Sequence, residues 1–246
     1  MNAMNTSNVG KWLIKAQCLV INFSFGLLIL LVVSCSVKTP ILSNKDFIKN
    51  NYINSKSLAI YEGILDTSFV RLRNYEGMFV FDMKYASNDN FLKTQVYDCD
   101  ECYLRMKTVR NLIEANNEFL QMGYRIKIYD CYRPLDIQKK MWKIMPDADY
   151  VADPKRGSIH NRGGAVDITL VDQNGVELEM GTPFDHFGPE AAHAYKKLPN
   201  SVKANRALLK EVMLRHNFRA FKSEWWHYNL AESIKDPLAN FKWDCD

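Results

Sequence analysis

Residues 158–171 read SIHNRGGAVDITLV. The second half, AVDITLV, has the apolar and β-branched content of a strand, yet Asp167 stands inside it. Aspartate is depleted from strands and is rarely buried without a partner. With a period of two, Ala165, Asp167 and Thr169 share one face, and Val166, Ile168 and Leu170 share the other. The apolar face is core; the small, polar face suits the floor of a cleft. His160 lies seven residues before Asp167, and Gly163-Gly164 permits the sharp turn that brings both to one point. A capped loop histidine and a salt-bridged aspartate would look the same, so this pair alone leaves the question open.

Outward from this strand, other elements are legible. Phe79–Tyr85 (FVFDMKY) alternates as a strand. Tyr103–Met122 carries Leu104, Val109, Leu112, Ile113, Phe119 and Leu120 at helical spacing, and Gly123 supplies a stop. Tyr124–Tyr129 reads as a half-buried strand, and Leu135–Met145 as an amphipathic helix beginning just after Pro134. Residues 147–164 form a long polar loop, a length that in a compact domain marks function or disorder. Asn174-Gly175 is a turn signal before an extended Val176–Met180. Helices are expected over Pro189–Lys197 and Ser201–His216, and an aromatic-rich strand over Glu224–Leu230. Together these predict an α+β fold with a largely antiparallel central sheet and helices packed on it, not a doubly wound alternation.

The chain of 246 residues, 47% hydrophobic, suits one globular domain plus extras. Net charge is +4 with acidic residues interspersed, and no Lys/Arg cluster is interleaved with aromatics, so no nucleic-acid partner is expected. Before the domain, Lys11 and Lys15 precede an apolar Ile21–Val33 and then Val32-Val33-Ser34-Cys35, the order of a secretory signal. Its end resembles a bacterial lipoprotein lipobox, which would make Cys35 the lipidated first residue of the mature chain. An uncleaved anchor is the alternative, since Cys18–Val33 is nearly long enough to span a bilayer. Residues 1–35 are thus read as a leader, 36–57 as a polar tether and 58–246 as the domain. Either anchor places the domain in the cell envelope outside the cytoplasm, on the periplasmic or outer-membrane side. In that compartment Cys99, Cys102, Cys131 and Cys245 allow three disulfide pairings. Cys99-Asp-Glu-Cys102 has no second CxxC with which to complete a zinc site, so structural or idle thiols are expected.

Two further stretches carry chemistry. Glu224-Trp225-Trp226-His227 sets a carboxylate three residues from an imidazole between large aromatics that lower the local dielectric. His160, Asp167 and His227 would supply two nitrogens and one oxygen and leave a fourth position for water, as catalytic zinc sites do. Glu224 would then be spare to act as general base, provided that it lies on a bend, because in a regular strand 224 and 227 face opposite ways. A core aromatic pair with edge polar residues would also read as EWWH. In Tyr132-Arg133-Pro134, the arginine is held between a strand end and a proline, where it could clamp a carboxylate or an oxyanion. A surface arginine paired with a local aspartate is the plainer reading.

In order along the chain, CYLR at 102–105, YRPL at 132–135, SIHNRGGAVDITLVD at 158–172, MGTPFD at 180–185 and EWWHY at 224–228 resemble the zinc D-alanyl-D-alanine dipeptidase family, of the hedgehog/DD-peptidase fold. The resemblance implies one Zn2+ held by His160, Asp167 and His227, with Glu224 as catalytic base and Arg133 stabilising the tetrahedral intermediate. It places Ser158 beside the substrate, a small D-amino-acid dipeptide. Cys131, where a small residue would be unremarkable, and the lipobox depart from the family pattern. A peptidoglycan carboxypeptidase or endopeptidase of the same zinc group would share the chemistry, with an open groove in place of a closed pocket. A non-catalytic cell-wall-binding lipoprotein should have lost its base or a ligand, and here all are present. His186, His193 and His216 have no obvious partners and read as surface residues.

Overall fold

The structure, a computed structural model, describes residues 63–245 apart from Glu76 and Asp149. The leader, Cys35 and the tether lie outside the described residues. Along the chain run β1 (Phe69–Arg71), β2 (Val80–Phe81), β3 (Tyr103–Arg105), α1 (Met106–Gln121), β4 (Arg125–Asp130), α2 (Leu135–Ile144), β5 (Ala165–Val171), α3 (Asn200–Arg215), β6 (Phe218–Ala220) and β7 (His227–Leu230). The main sheet is mixed, ordered β2–β4–β5–β7–β6. β2 runs parallel to β4, whereas β5 is antiparallel to both of its neighbours and β6 is antiparallel to β7. β1 and β3 form a separate antiparallel pair.

β5 is central and buried at all seven positions. Val166, Ile168 and Leu170 join the apolar core together with Leu112, Ile113 and Phe119 of α1 and Leu209, Val212 and Met213 of α3. Burying such a side chain contributes about 1.5–3 kcal/mol. Asn116 is buried within α1 and ties it to the sheet, donating to Met78 O at 3.0 Å and accepting from Ile126 N at 2.9 Å. The opposite face of β5 stays polar. A register shift between Ile128 and Asp130 of β4 sets Asp130 opposite Asp167, which in turn faces His227 of β7. Such a bulge re-aims a side chain without ending the pairing.

Several expectations are corrected. The strand foreseen at Phe79–Tyr85 is only Val80–Phe81. Beyond it the Asp82 carboxylate pairs with Lys84 and Lys127, at 3.1 and 2.8 Å, and the chain coils at Lys84–Ala86, burying Tyr85. Val176–Met180 is reduced to a single bridge, Val171 to Glu177. The helix foreseen at Pro189–Lys197 is one turn, Pro189–Ala191. Arg206 takes the carbonyls of Glu190 and Ala192 at 2.9 and 3.3 Å, and the His193 N–H goes to Lys222 O, so the groups a helix would pair are already spent.

The carboxy-terminal segment wraps back over β1 and β3. Tyr132 stacks on Phe241 with centroids 4.5 Å apart and donates to its carbonyl, and Tyr103 stacks on Trp243. Cys99 and Cys245 form a disulfide, whereas Cys102 and Cys131 are free and buried. Among the described residues no helix is long and apolar enough to cross a membrane.

Candidate active site

Gly163 makes the turn that the sequence requires between His160 and β5. Its φ is +69°, and a Cβ there would sit 2.3 Å from the Phe69 ring. The turn His160–Arg162 is buried at His160 and Asn161. The His160 Nδ1 lies 2.6 Å from Cys131 O, a group that only accepts, so Nδ1 carries the proton and Nε2 is the free lone pair. In His227, Nε2 lies 2.9 Å from Asn229 Oδ1, which leaves Nδ1 free. The free nitrogens and the Asp167 carboxylate converge: Nε2 to Nδ1 is 3.2 Å, Nε2 to Asp167 Oδ2 3.4 Å and Nδ1 to Asp167 Oδ1 2.9 Å. One ligand atom from each residue lies within 4.8 Å of the others. Carbonyl groups behind both imidazoles fix tautomer and ring angle, the outer support that metal-bound histidines usually have.

The electrostatics favour a cation at this point. Burial pushes the Asp167 carboxyl up, but the two imidazoles outweigh it and hold it below the usual carboxylate range. Burial disfavours protonated His227, yet the bond to Asp167 and its charge lift that imidazole to about 9. Two imidazoles and a carboxylate form the donor set of a borderline-soft divalent ion.

Glu224 lies outside β7, in the bend that leads into it, with Oε2 3.9 Å from His227 Nδ1. Burial raises its carboxyl, the direction useful to a group that must hold a transferred proton. Arg133 is 7% exposed and clamped, donating from Nη2 to Asp130 at 2.7 Å and from Nη1 to Gln138 at 2.9 Å. Asp130, fully buried, also accepts from Tyr97 OH at 2.7 Å and lies 3.6 Å from His160 Nδ1, so one carboxylate braces both the arginine and a histidine of the cluster. Ser158 accepts the His160 N–H at 3.2 Å and donates to Asn161, whose amide holds Arg133 O.

Arg133, Ser158, His160, Asp167, Glu224 and His227 face a cavity of about 260 Å³. Tyr150 and Phe187 line one side of it with ring centroids 4.6 Å apart, and Phe91 packs against Phe187 at 4.9 Å. On the wall Asp185 accepts from Tyr85 OH at 3.1 Å. Its backbone φ of +58° is unusual for a residue with a side chain. Burial and the nearby Asp167 charge push its carboxyl well up.

The profile of the D-Ala-D-Ala dipeptidase family matches residues 66–244, most of the chain. The chain belongs to this family. It is 36% identical to D-alanyl-D-alanine dipeptidase of Escherichia coli over 165 residues, 67% of this chain and 85% of that protein. Proteins of the same name from Enterococcus faecalis and Enterococcus faecium are each 28% identical, covering 65% and 67% of this chain and 91% and 90% of theirs. Membership carries the hedgehog/DD-peptidase-like α+β fold and makes the chain a metallopeptidase, in keeping with the His160, Asp167 and His227 cluster.

Three residues of this dipeptidase-family site were not singled out by sequence reasoning. Asp130 sits in the YDCYRP run and Asp185 ends MGTPFD, so both had a local signal; their partners, Arg133 with His160 and Tyr85, appear only in the fold. Asn229, two residues after His227, carried no signal beyond its place in an alternating strand.

Proposed function

We propose that this chain hydrolyses D-Ala-D-Ala to two D-alanines at a zinc ion held by His160, Asp167 and His227. The observation that carries the reading is the convergence of three candidate ligand atoms beside a spare, half-buried carboxylate, in a small cavity of a dipeptidase-family chain. A bound zinc ion supplies a Lewis acid for the scissile carbonyl and brings the pKa of water toward ~7. Glu224 takes the proton of the attacking water and returns it to the leaving amine nitrogen. Arg133, fixed by Asp130 and Gln138, offsets the charge that develops on the carbonyl oxygen. Ser158 holds the His160 turn and borders the substrate.

Asp185 selects the dipeptide. Asp185 is half-buried with a phenol as its hydrogen-bond donor and forms no direct ion pair among the described residues, and the free α-ammonium of a dipeptide supplies one. The cavity of about 260 Å³ falls below the ~300–1,000 Å³ usual for larger ligands, which favours a dipeptide over a muropeptide. The full chain, purified in detergent and loaded with zinc, should release D-alanine from D-Ala-D-Ala; release from muropeptides alone would overturn the reading. Asp185→Asn should lower kcat/KM for D-Ala-D-Ala by about 10–100-fold, mainly through KM, the scale of one charged hydrogen bond. The parent should discriminate strongly against the N-acetylated dipeptide, and the variant should lose that preference.

The chain is further proposed to be lipid-anchored through Cys35 in the cell envelope, outside the cytoplasm. The lipobox-like Val32–Cys35 and the Cys99–Cys245 disulfide support this, since disulfides persist in oxidising compartments. Cells grown with labelled palmitate should label the protein, and Cys35→Ser should abolish the label. Membrane retention without label in the parent would indicate the uncleaved anchor over Cys18–Val33 instead.

A further inference from the structure

Away from the catalytic cavity, α3 and its flanks concentrate positive charge. Residues 193–223 contain one acid, Glu211, and Arg215 among their cations is paired with Glu118. Lys196, Lys203, Arg206, Lys210, Arg219 and Lys222 form no ion pair among the described residues. The chain is unremarkable in overall charge, and this face is not.

These cations line two adjoining cavities. One, of about 660 Å³, is bordered by Lys196, Lys203, Arg206 and Lys210 with Glu211 as its single acid; the other, of about 360 Å³, by Lys210, Arg219 and Lys222. Both include His193, Lys210 and Leu214. Arg206 is 5% exposed, and its Nε and Nη1 bond main-chain carbonyls, but its buried Nη2 has no hydrogen-bond partner. The His193 Nε2 is likewise buried and unpartnered. Burial, followed by the charges of Lys210 and Arg206, holds that imidazole down to about 4, which reflects the positive field. His193 is therefore half-buried in a basic pocket, not the plain surface residue that its place in the sequence suggests.

A buried guanidinium without a counter-charge is costly, and an unpaired N–H leaves its desolvation uncompensated. An anion in the cavity that Arg206 borders supplies the missing counter-charge, and the spread of lysines over two cavities suits several anionic groups better than a single carboxylate. We infer that this face binds a phosphate-bearing polyanion, with Arg206 and His193 at the floor and Lys203 and Lys210 at the rim. The inference is independent of the catalytic reading, because the two cavities share no residue with the catalytic one.

The test is calorimetric titration of the full chain in neutral detergent with inorganic pyrophosphate and with short-chain polyphosphate. Polyphosphate should bind more tightly than pyrophosphate, and binding should weaken as salt rises. The double variant Lys203→Gln, Lys210→Gln should bind at least about tenfold more weakly, the effect of losing two charge-assisted contacts. Its unchanged D-Ala-D-Ala hydrolysis would show an intact fold, which Arg206→Gln, the second variant, could compromise. The titration is repeated on Asp167→Ala, so that heat from phosphate acting on zinc is separated from heat at this face. No binding, or binding that the double variant leaves unchanged, overturns the inference. A second arm reads protection of the lysines from acetylation on phosphatidylcholine vesicles with and without phosphatidylglycerol. Protection that requires phosphatidylglycerol assigns a lipid headgroup; protection by soluble polyphosphate alone assigns a free phosphate polymer. Protection by neither overturns the site.

Discussion

Glu224→Gln is expected to lower kcat for D-Ala-D-Ala hydrolysis by about 10²–10⁴-fold while the protein keeps its metal. Glutamine preserves the size and polarity of the side chain but cannot take a proton. Glu224 touches the cluster from 3.9 Å, yet the two imidazoles and Asp167 close their own triangle at 2.9–3.4 Å without it. The proposed base is thus separable from the proposed ligands, and a KM close to the parental value should accompany the loss of kcat. The variant is assayed for metal content and steady-state kinetics together. Near-parental kcat would remove Glu224 from the mechanism, and metal loss in proportion to activity would reassign it as a ligand.

Asp167→Ala is expected to do the opposite, abolishing metal binding and hydrolysis together. The carboxylate is the one anion in the triangle, and without it two neutral imidazoles must hold a dication in a buried setting. Its loss should also be visible without metal. His227 is raised from its ordinary 6.5 to about 9, by the bond to Asp167 and its charge against the opposing effect of burial. A pKa raised on folding stabilises fully below the unfolded value, so in the metal-free parent this contribution is present below about 6.5 and is lost as pH rises through about 9. Asp167→Ala should erase that dependence in a chemical-denaturation series. Retained zinc at parental stoichiometry would show that the metal lies elsewhere.

The convergence of His160, Asp167 and His227 was legible because residues around it break local rules. Asp167 interrupts an apolar strand, Gly163-Gly164 interrupts the approach to it, and Glu224 to His227 cannot share a strand face, so a bend was required and is present. α1, α2 and α3 were visible through apolar repeats long enough to show a period. β1, β3 and β6 span three residues each, too few for alternation to register. The expected helix over Pro189–Lys197 failed for another reason: its carbonyls are taken by Arg206, up to 16 positions away in the chain.

By itself, then, the sequence determined the chemical inventory, the approximate order of the longer elements and the residues that must converge. Only the tertiary structure decided which groups brace them. Tyr85 reaches Asp185 across 100 residues, Asp130 turns toward both Arg133 and His160 through a bulge, and Cys99 closes on Cys245 across 146. Periodicity and turn chemistry act over a few residues, so a single sequence carries them openly. Hydrogen-bond partners, burial and the resulting shifts in proton affinity depend on what packing brings within about 3 Å, and packing is set by the whole chain at once.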